Sequence, residues 1–185
     1  MVNMIKNDIF EIIRKYGPYG AISGIIILVI IYCLFTLKSK LPIKTLLHKY
    51  IKEIIIAYVI YIYCFAVIAI TFVSREPGSR DGLDLLLFST FSHKLEDNIY
   101  PVENVILFIP FGFLMPILSK RFQNMLHCLI LGSIFSIIIE ISQYFAKRGY
   151  CQIDDIMTNT IGALVGYIIY CGIIKLVDMY KIHSK

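Results

Sequence analysis

The sequence predicts an all-α, polytopic membrane protein with about five transmembrane helices and an N-terminal amphipathic helix. Three observations carry that prediction. Of 185 residues, 58% are hydrophobic and 17% are charged, whereas an ordinary soluble domain has about 45–50% and about 25%. A chain of 21.3 kDa has too much surface to hide this apolar excess from water. The charges are also grouped between long uncharged runs instead of being spread evenly. The bilayer is therefore the expected solvent. This excludes a cytosolic globular enzyme, a disordered regulator and a small disulfide-stapled secreted domain. The net charge of +5 is expected to orient the chain in the membrane, with no role in nucleic-acid binding.

The elements follow in chain order. Met1–Lys15 carries Lys6, Asp8, Glu11, Arg14 and Lys15, with Ile5, Ile9, Ile12 and Ile13 at helical spacing. That pattern reads as an interfacial amphipathic helix, not as a signal peptide. A spanning helix needs about 20 largely apolar residues. Uncharged runs over 16–37, 54–74, 105–119, 122–139 and 156–174 supply five candidates. The third is short and contains Pro110, Gly112 and Pro116, so a helix packed against neighbours is expected there. With no internal repeat or low-complexity linker, the chain reads as one membrane domain over residues 1–185. Cys33, Cys64, Cys128 and Cys171 lie within apolar runs, and only Cys151 lies in a loop, so no disulfide framework is expected.

Lysine and arginine near the helix ends set the orientation. Ten of the eighteen fall in the first loop, the third loop and the C-terminal tail, and eight fall on the other side. The sequence thus predicts a multi-pass cell-membrane protein with its N-terminus outside and its C-terminus in the cytoplasm.

The polar residues within the apolar runs are the candidates for function. Chain alternation brings the end of helix two, the start of three, the end of four and the start of five to one membrane side. Arg75, Arg80, Asn104, Glu140, Gln143, Arg148, Asp154, Asp155 and Asn159 all map there. Offsets of three, four and eight would place Gln143, Tyr144 and Arg148 on one helical stripe with Glu140. Glu140 would lie roughly 6–8 Å deep at the helical rise per residue. Ionisable residues inside a membrane helix are functional candidates by default. Structural roles compete: Arg75 and Arg148 as snorkelling anchors, Glu140 as a helix staple, Asp154 as a helix-terminal cap. Gly162, Ala163 and Gly166 would allow a neighbouring helix to approach closely.

Three ordered segments carry a resemblance: ENVILFIPFGFLMPIL (Glu103–Leu118), SIIIEISQYF (Ser136–Phe145) and RGYCQIDDIMTNTIGALVGY (Arg148–Tyr167). Together they resemble the VanZ-like family over about residues 75–167. By this similarity Asn104, Pro110, Gly112, Glu140, Gln143, Arg148, Asp154, Asp155, Asn159 and Gly162 occupy the family's motif positions. Arg80 takes the place of the arginine before its first motif, and Glu103 replaces a residue that is often small. The resemblance implies a polytopic membrane protein of mainly Gram-positive bacteria, associated with low-level teicoplanin resistance. It implies no agreed mechanism.

Two functions are therefore expected to compete. In the first, the polar cluster recognises an envelope lipid, a cell-wall precursor or a glycopeptide, with Arg75, Arg80, Asn104, Gln143, Arg148 and Asn159 as contact residues. The guanidinium fork suits phosphate. In the second, the protein is an enzyme acting on a phosphate-containing lipid-linked substrate. Asp154 and Asp155, with Glu140, would then be ligands of a Mg²⁺ ion, or Glu140 or Asp155 would be the base.

Overall fold

The computed structural model describes residues 2–39, 43–78, 82–91 and 98–183. The described residues are almost entirely helical. Five long helices follow one another: α1 (Val2–Ser39), α2 (Ile43–Ile68), α3 (Ile99–Leu118), α4 (Met125–Ala146) and α5 (Ile153–His183). Each contains a stretch long and apolar enough to cross a membrane: Phe10–Ile31, Tyr50–Val73, Ile99–Leu118, Met125–Ala146 and Ile153–His183. The polytopic all-α architecture is thus present. One boundary differs from expectation: the amphipathic segment and the first span form a single helix that runs through Gly17 and Pro18.

The residues gather into two compact units. One is made of Met1–Ile5 with Arg75–Lys185, and the other of Lys6–Ser74. Within the second unit α1 and α2 approach through small residues: a Cβ on Gly20 would strike the Phe65 ring, and one on Gly24 would strike Tyr58 and Tyr61. Ser23 Oγ and the Tyr61 hydroxyl share a hydrogen bond of 2.8 Å. Past α2 the chain widens into a π-helical turn over Ala69–Val73, where Ser74 N–H donates to Ala69 O at 2.9 Å.

The other unit is built inside out relative to a soluble bundle. Ile134, Ile137, Ile138 and Ile141 of α4 are exposed, as are Ile168, Ile169, Ile173 and Ile174 of α5, while Ser136, Glu140, Gln143, Asp155, Thr158 and Asn159 are buried. In lipid this is the low-energy arrangement, because apolar side chains gain nothing by leaving hydrocarbon while polar ones gain a partner. Across α4 and α5, Asn159 Nδ2 donates to Ser136 Oγ at 2.8 Å, and Ser133 and Thr160 share a hydroxyl bond of 2.9 Å.

Small residues decide how α3 meets α5. A Cβ on Gly112 would run into Ala163 O, one on Gly162 into Val105 O, and one on Gly166 into Ile109 O. Each helix thus presents backbone to backbone, which only residues without a bulky side chain permit. Pro116 lacks an N–H and leaves Gly112 O without its usual donor four residues on. The Cys128 thiol of α4 takes that role, Sγ lying 3.9 Å from Gly112 O. Phe108, Phe111 and Phe135 fill the space between α3 and α4, with ring centroids 5.5–5.8 Å apart.

Two short strands, which the sequence reading lacked, complete this unit. β1 (Leu83–Asp84) runs parallel to β2 (Cys151–Gln152), pairing Leu83 with Cys151 and Asp84 with Gln152. The pairing ties the 82–91 loop to the junction between α4 and α5.

Candidate functional site

The polar residues of the α3–α5 unit meet at one end of its helices. α4 closes the site because Lys147 adopts a left-handed conformation (φ 53°) and ends the helix at Ala146, with Arg148 N–H donating to Gln143 O. The turn corrects one expectation. Arg148 stands past the helix end and shares no stripe with Glu140, while Tyr144, one turn on from Glu140, is exposed. From the turn, Arg148 Nη1 reaches back to donate to Arg75 O at 3.3 Å.

Arg75 is placed by Gly149. A Cβ on that buried glycine would lie 2.7 Å from Arg75 Nη1, so the guanidinium lies across a bare stretch of backbone. It forms part of the wall of a cavity of about 330 Å³, together with Thr90, Tyr100, Pro101, Asn104, Tyr150, Gln152 and Asp155. Arg75, Asn104 and Asp155 come from three regions far apart in sequence, as chain alternation predicts.

The carboxylates divide their work. Asp154 is directed at the 82–91 loop. Phe88 N–H donates to its Oδ1 at 2.7 Å, and Thr90 N–H and Oγ1 donate to its Oδ2 at 3.0 and 2.7 Å. It caps the loop instead of the amides of its own helix. Glu140, buried behind the cavity, accepts the Gln152 N–H at 3.1 Å and so holds β2 against α4. Asp155 alone of the three lines the cavity, close enough to Glu140 for their charges to repel. Outside the spans, hydrogen bonds from Ser89 and the Leu86 N–H hold the Asp84 carboxyl below its usual range. Burial, followed by the charges of Glu140 and Asp155, pushes the Cys151 thiol up.

The remaining expected residues fall as follows. Gln143 is buried beneath Gly149, its Cδ 3.4 Å from where a Cβ there would stand. Asn159 sits deeper between α4 and α5, where its Oδ1 has no hydrogen-bond partner among the described residues. Arg80 lies outside the described residues. The expected Asp154–Asp155 metal pair does not form one donor set: Asp154 is directed at the loop and Asp155 at the cavity. No three His, Cys, Asp or Glu side chains among the described residues come together as a metal site.

Tyr100, Tyr150, Gln152, Thr90 and Gly149 also shape the site but are not among the candidates singled out from the sequence. Tyr100 precedes the uncharged run assigned to helix three, and Tyr150 and Gln152 interleave with the motif residues. Proximity in sequence to Arg148, Asp154 and Asn104 is the signal that marks four of them, and Thr90 carries none.

Comparison with known proteins gives three results. The VanZ/LLP1 family model matches residues 54–176, from the middle of α2 to late α5. A protein named Protein VanZ, from Enterococcus faecium, is 35% identical over 69 residues. That stretch covers 37% of this chain and 42% of the relative, so the chain matches less than half of that relative's length. No solved structure matches.

Proposed function

The chain belongs to the VanZ/LLP1 family, and from that premise we propose that it binds the phosphate-bearing headgroup of a lipid-linked cell-envelope component in the Arg75 cavity. The observation that carries the reading is the composition of the cavity wall. One guanidinium, the Asn104 amide and two tyrosines give an anion several donors, while Asp155 offers an acceptor for sugar hydroxyls or amides. Asp154 and Glu140 serve the scaffold through their backbone bonds, which favours recognition over catalysis. A cavity of about 330 Å³ lies at the lower end of ligand-pocket sizes, roughly 300–1,000 Å³. It suits a headgroup, whereas a whole glycopeptide antibiotic is too large to enter. In this reading, teicoplanin resistance would follow from withholding a bound precursor from the drug.

The second reading, a membrane enzyme, is favoured by the Glu140–Asp155 pair beside the cavity. One experiment separates the two. Purified protein is titrated with a polyprenyl phosphate and with the corresponding alcohol, and the lipid is analysed afterwards with and without Mg²⁺. Recognition predicts phosphate-dependent binding and recovery of unchanged lipid. Turnover would establish the enzyme, and equal binding of phosphate and alcohol would remove the headgroup reading.

The lysine and arginine distribution supports a reading in which the site faces the extracytoplasmic side, with the N-terminus outside and the C-terminus inside. In a variant that keeps Cys151 as its sole cysteine, a membrane-impermeant thiol reagent should label intact cells. Because the Cys151 thiol is pushed up, its thiolate is scarce at neutral pH, so labelling should quicken as pH rises. Asp155→Asn should quicken it at fixed pH by removing a repelling charge. Labelling only after permeabilisation would reverse the topology.

A further inference from the structure

We propose that the 82–91 loop is a membrane-dipping element whose apolar side chains sit in the headgroup–acyl boundary of the bilayer beside the cavity. The proposal does not depend on what the cavity binds. Leu83, Leu85, Leu86, Leu87 and Phe88 are all more than half exposed, Leu86 at 74% and Phe88 at 64%. Five large apolar side chains within six residues make a contiguous patch of the kind that marks a membrane or protein contact.

Three features point to lipid as its occupant. First, the loop is fixed at the level of helix ends. β1 pairs with β2 between spans α4 and α5, and Asp154 in the first turn of α5 holds Phe88 and Thr90. The patch therefore lies level with the ends of helices that are long and apolar enough to span a membrane and carry exposed isoleucines.

Second, several polar groups of the loop are paired within the protein. The amides of Phe88 and Thr90 donate to Asp154, that of Leu86 to Asp84, and that of Phe91 to Phe88 O. Asp84, the one charged residue from 82 to 91, accepts from Ser89 Oγ at 2.7 Å as well as from Leu86. Such internal pairing is what irregular backbone requires when it leaves water, since lipid offers no partners.

Third, Phe88 has φ 66°, a left-handed conformation that a bulky residue adopts only when its surroundings hold it there. Asp154 supplies that hold. Thr90 lines the cavity from the same loop, so an inserted loop sets the cavity rim at the boundary between water and lipid.

The chain contains no tryptophan, so Leu86→Trp and, separately, Leu87→Trp each report from the loop alone. Both side chains are exposed, which leaves room for the indole. Each variant is placed in nanodiscs of phosphatidylcholine and phosphatidylglycerol, so that both faces meet solvent. Quenching by lipid brominated high on the acyl chain is compared with quenching by aqueous iodide. Insertion predicts blue-shifted emission, most of it lost to the brominated lipid and little to iodide. Strong iodide quenching without lipid quenching would overturn the proposal. Protection from both quenchers would also overturn it, assigning the patch to a second copy or to another part of the chain.

Discussion

Replacing Gly162 with leucine is expected to abolish the native α3–α5 packing, and even Gly162→Ala should cost about 2 kcal/mol. The single methyl of alanine would run into Val105 O and stand 2.9 Å from Phe108 Cβ. Neither can yield, since one is backbone and the other the stem of a fully buried side chain. Overpacking of this kind costs about 1–3 kcal/mol, at the upper end where backbone must move. Alanine's better helix propensity returns about 1 kcal/mol, so steric overlap wins. Gly172→Ala is the internal control: nothing lies within 4 Å of a Cβ there, so only the propensity gain remains. Unfolding midpoints should fall for Gly162→Ala and hold or rise for Gly172→Ala. A fall of equal size in both would mean that the helix itself, not its contact with α3, is sensitive.

The second large effect is expected at Asp154. Asp154→Ala removes the acceptor of three hydrogen bonds at 2.7–3.0 Å and releases Phe88 from its left-handed conformation. Hydrogen bonds to a charged group contribute about 1.5–3 kcal/mol each, but water partly replaces them in a loop. The expected net loss is about 2–3 kcal/mol, confined largely to the 82–91 loop. Amide exchange at Phe88 and Thr90 should accelerate strongly while the α3–α5 core keeps its protection, with Asp154→Asn in between. If Asp154 served chemistry instead, activity would vanish with loop exchange unchanged.

Most of the helical framework is legible in the sequence, because uncharged runs of spanning length have few alternatives. Helix ends are less so. α3 begins at Ile99, well before its uncharged run, since Glu103 and Asn104 are tolerated in the opening turns at a membrane boundary. α4 ends at Ala146 because Lys147 is left-handed, which hydropathy cannot register. The gathering of Arg75, Asn104, Glu140, Gln143 and Asp155 at one end follows from chain alternation alone. Their division of labour does not: whether an aspartate faces a cavity or a loop amide depends on side-chain direction, and Asp154 and Asp155 are neighbours that part company. The two-residue strands are too short to show any periodicity. Without that pairing the apolar stretch Leu85–Phe88 reads only as a loop too short to span a membrane.

The Arg75 cavity is the proposed place where a phosphate headgroup is held. Native mass spectrometry of the wild type and Arg75→Ala, each incubated with a polyprenyl phosphate, tests this directly, with Asn104→Ala as a second wall variant. Loss of the guanidinium contact should reduce bound lipid by about tenfold or more, and Asn104→Ala should reduce it less. Equal lipid occupancy in the wild type and Arg75→Ala would contradict the assignment and place the binding elsewhere.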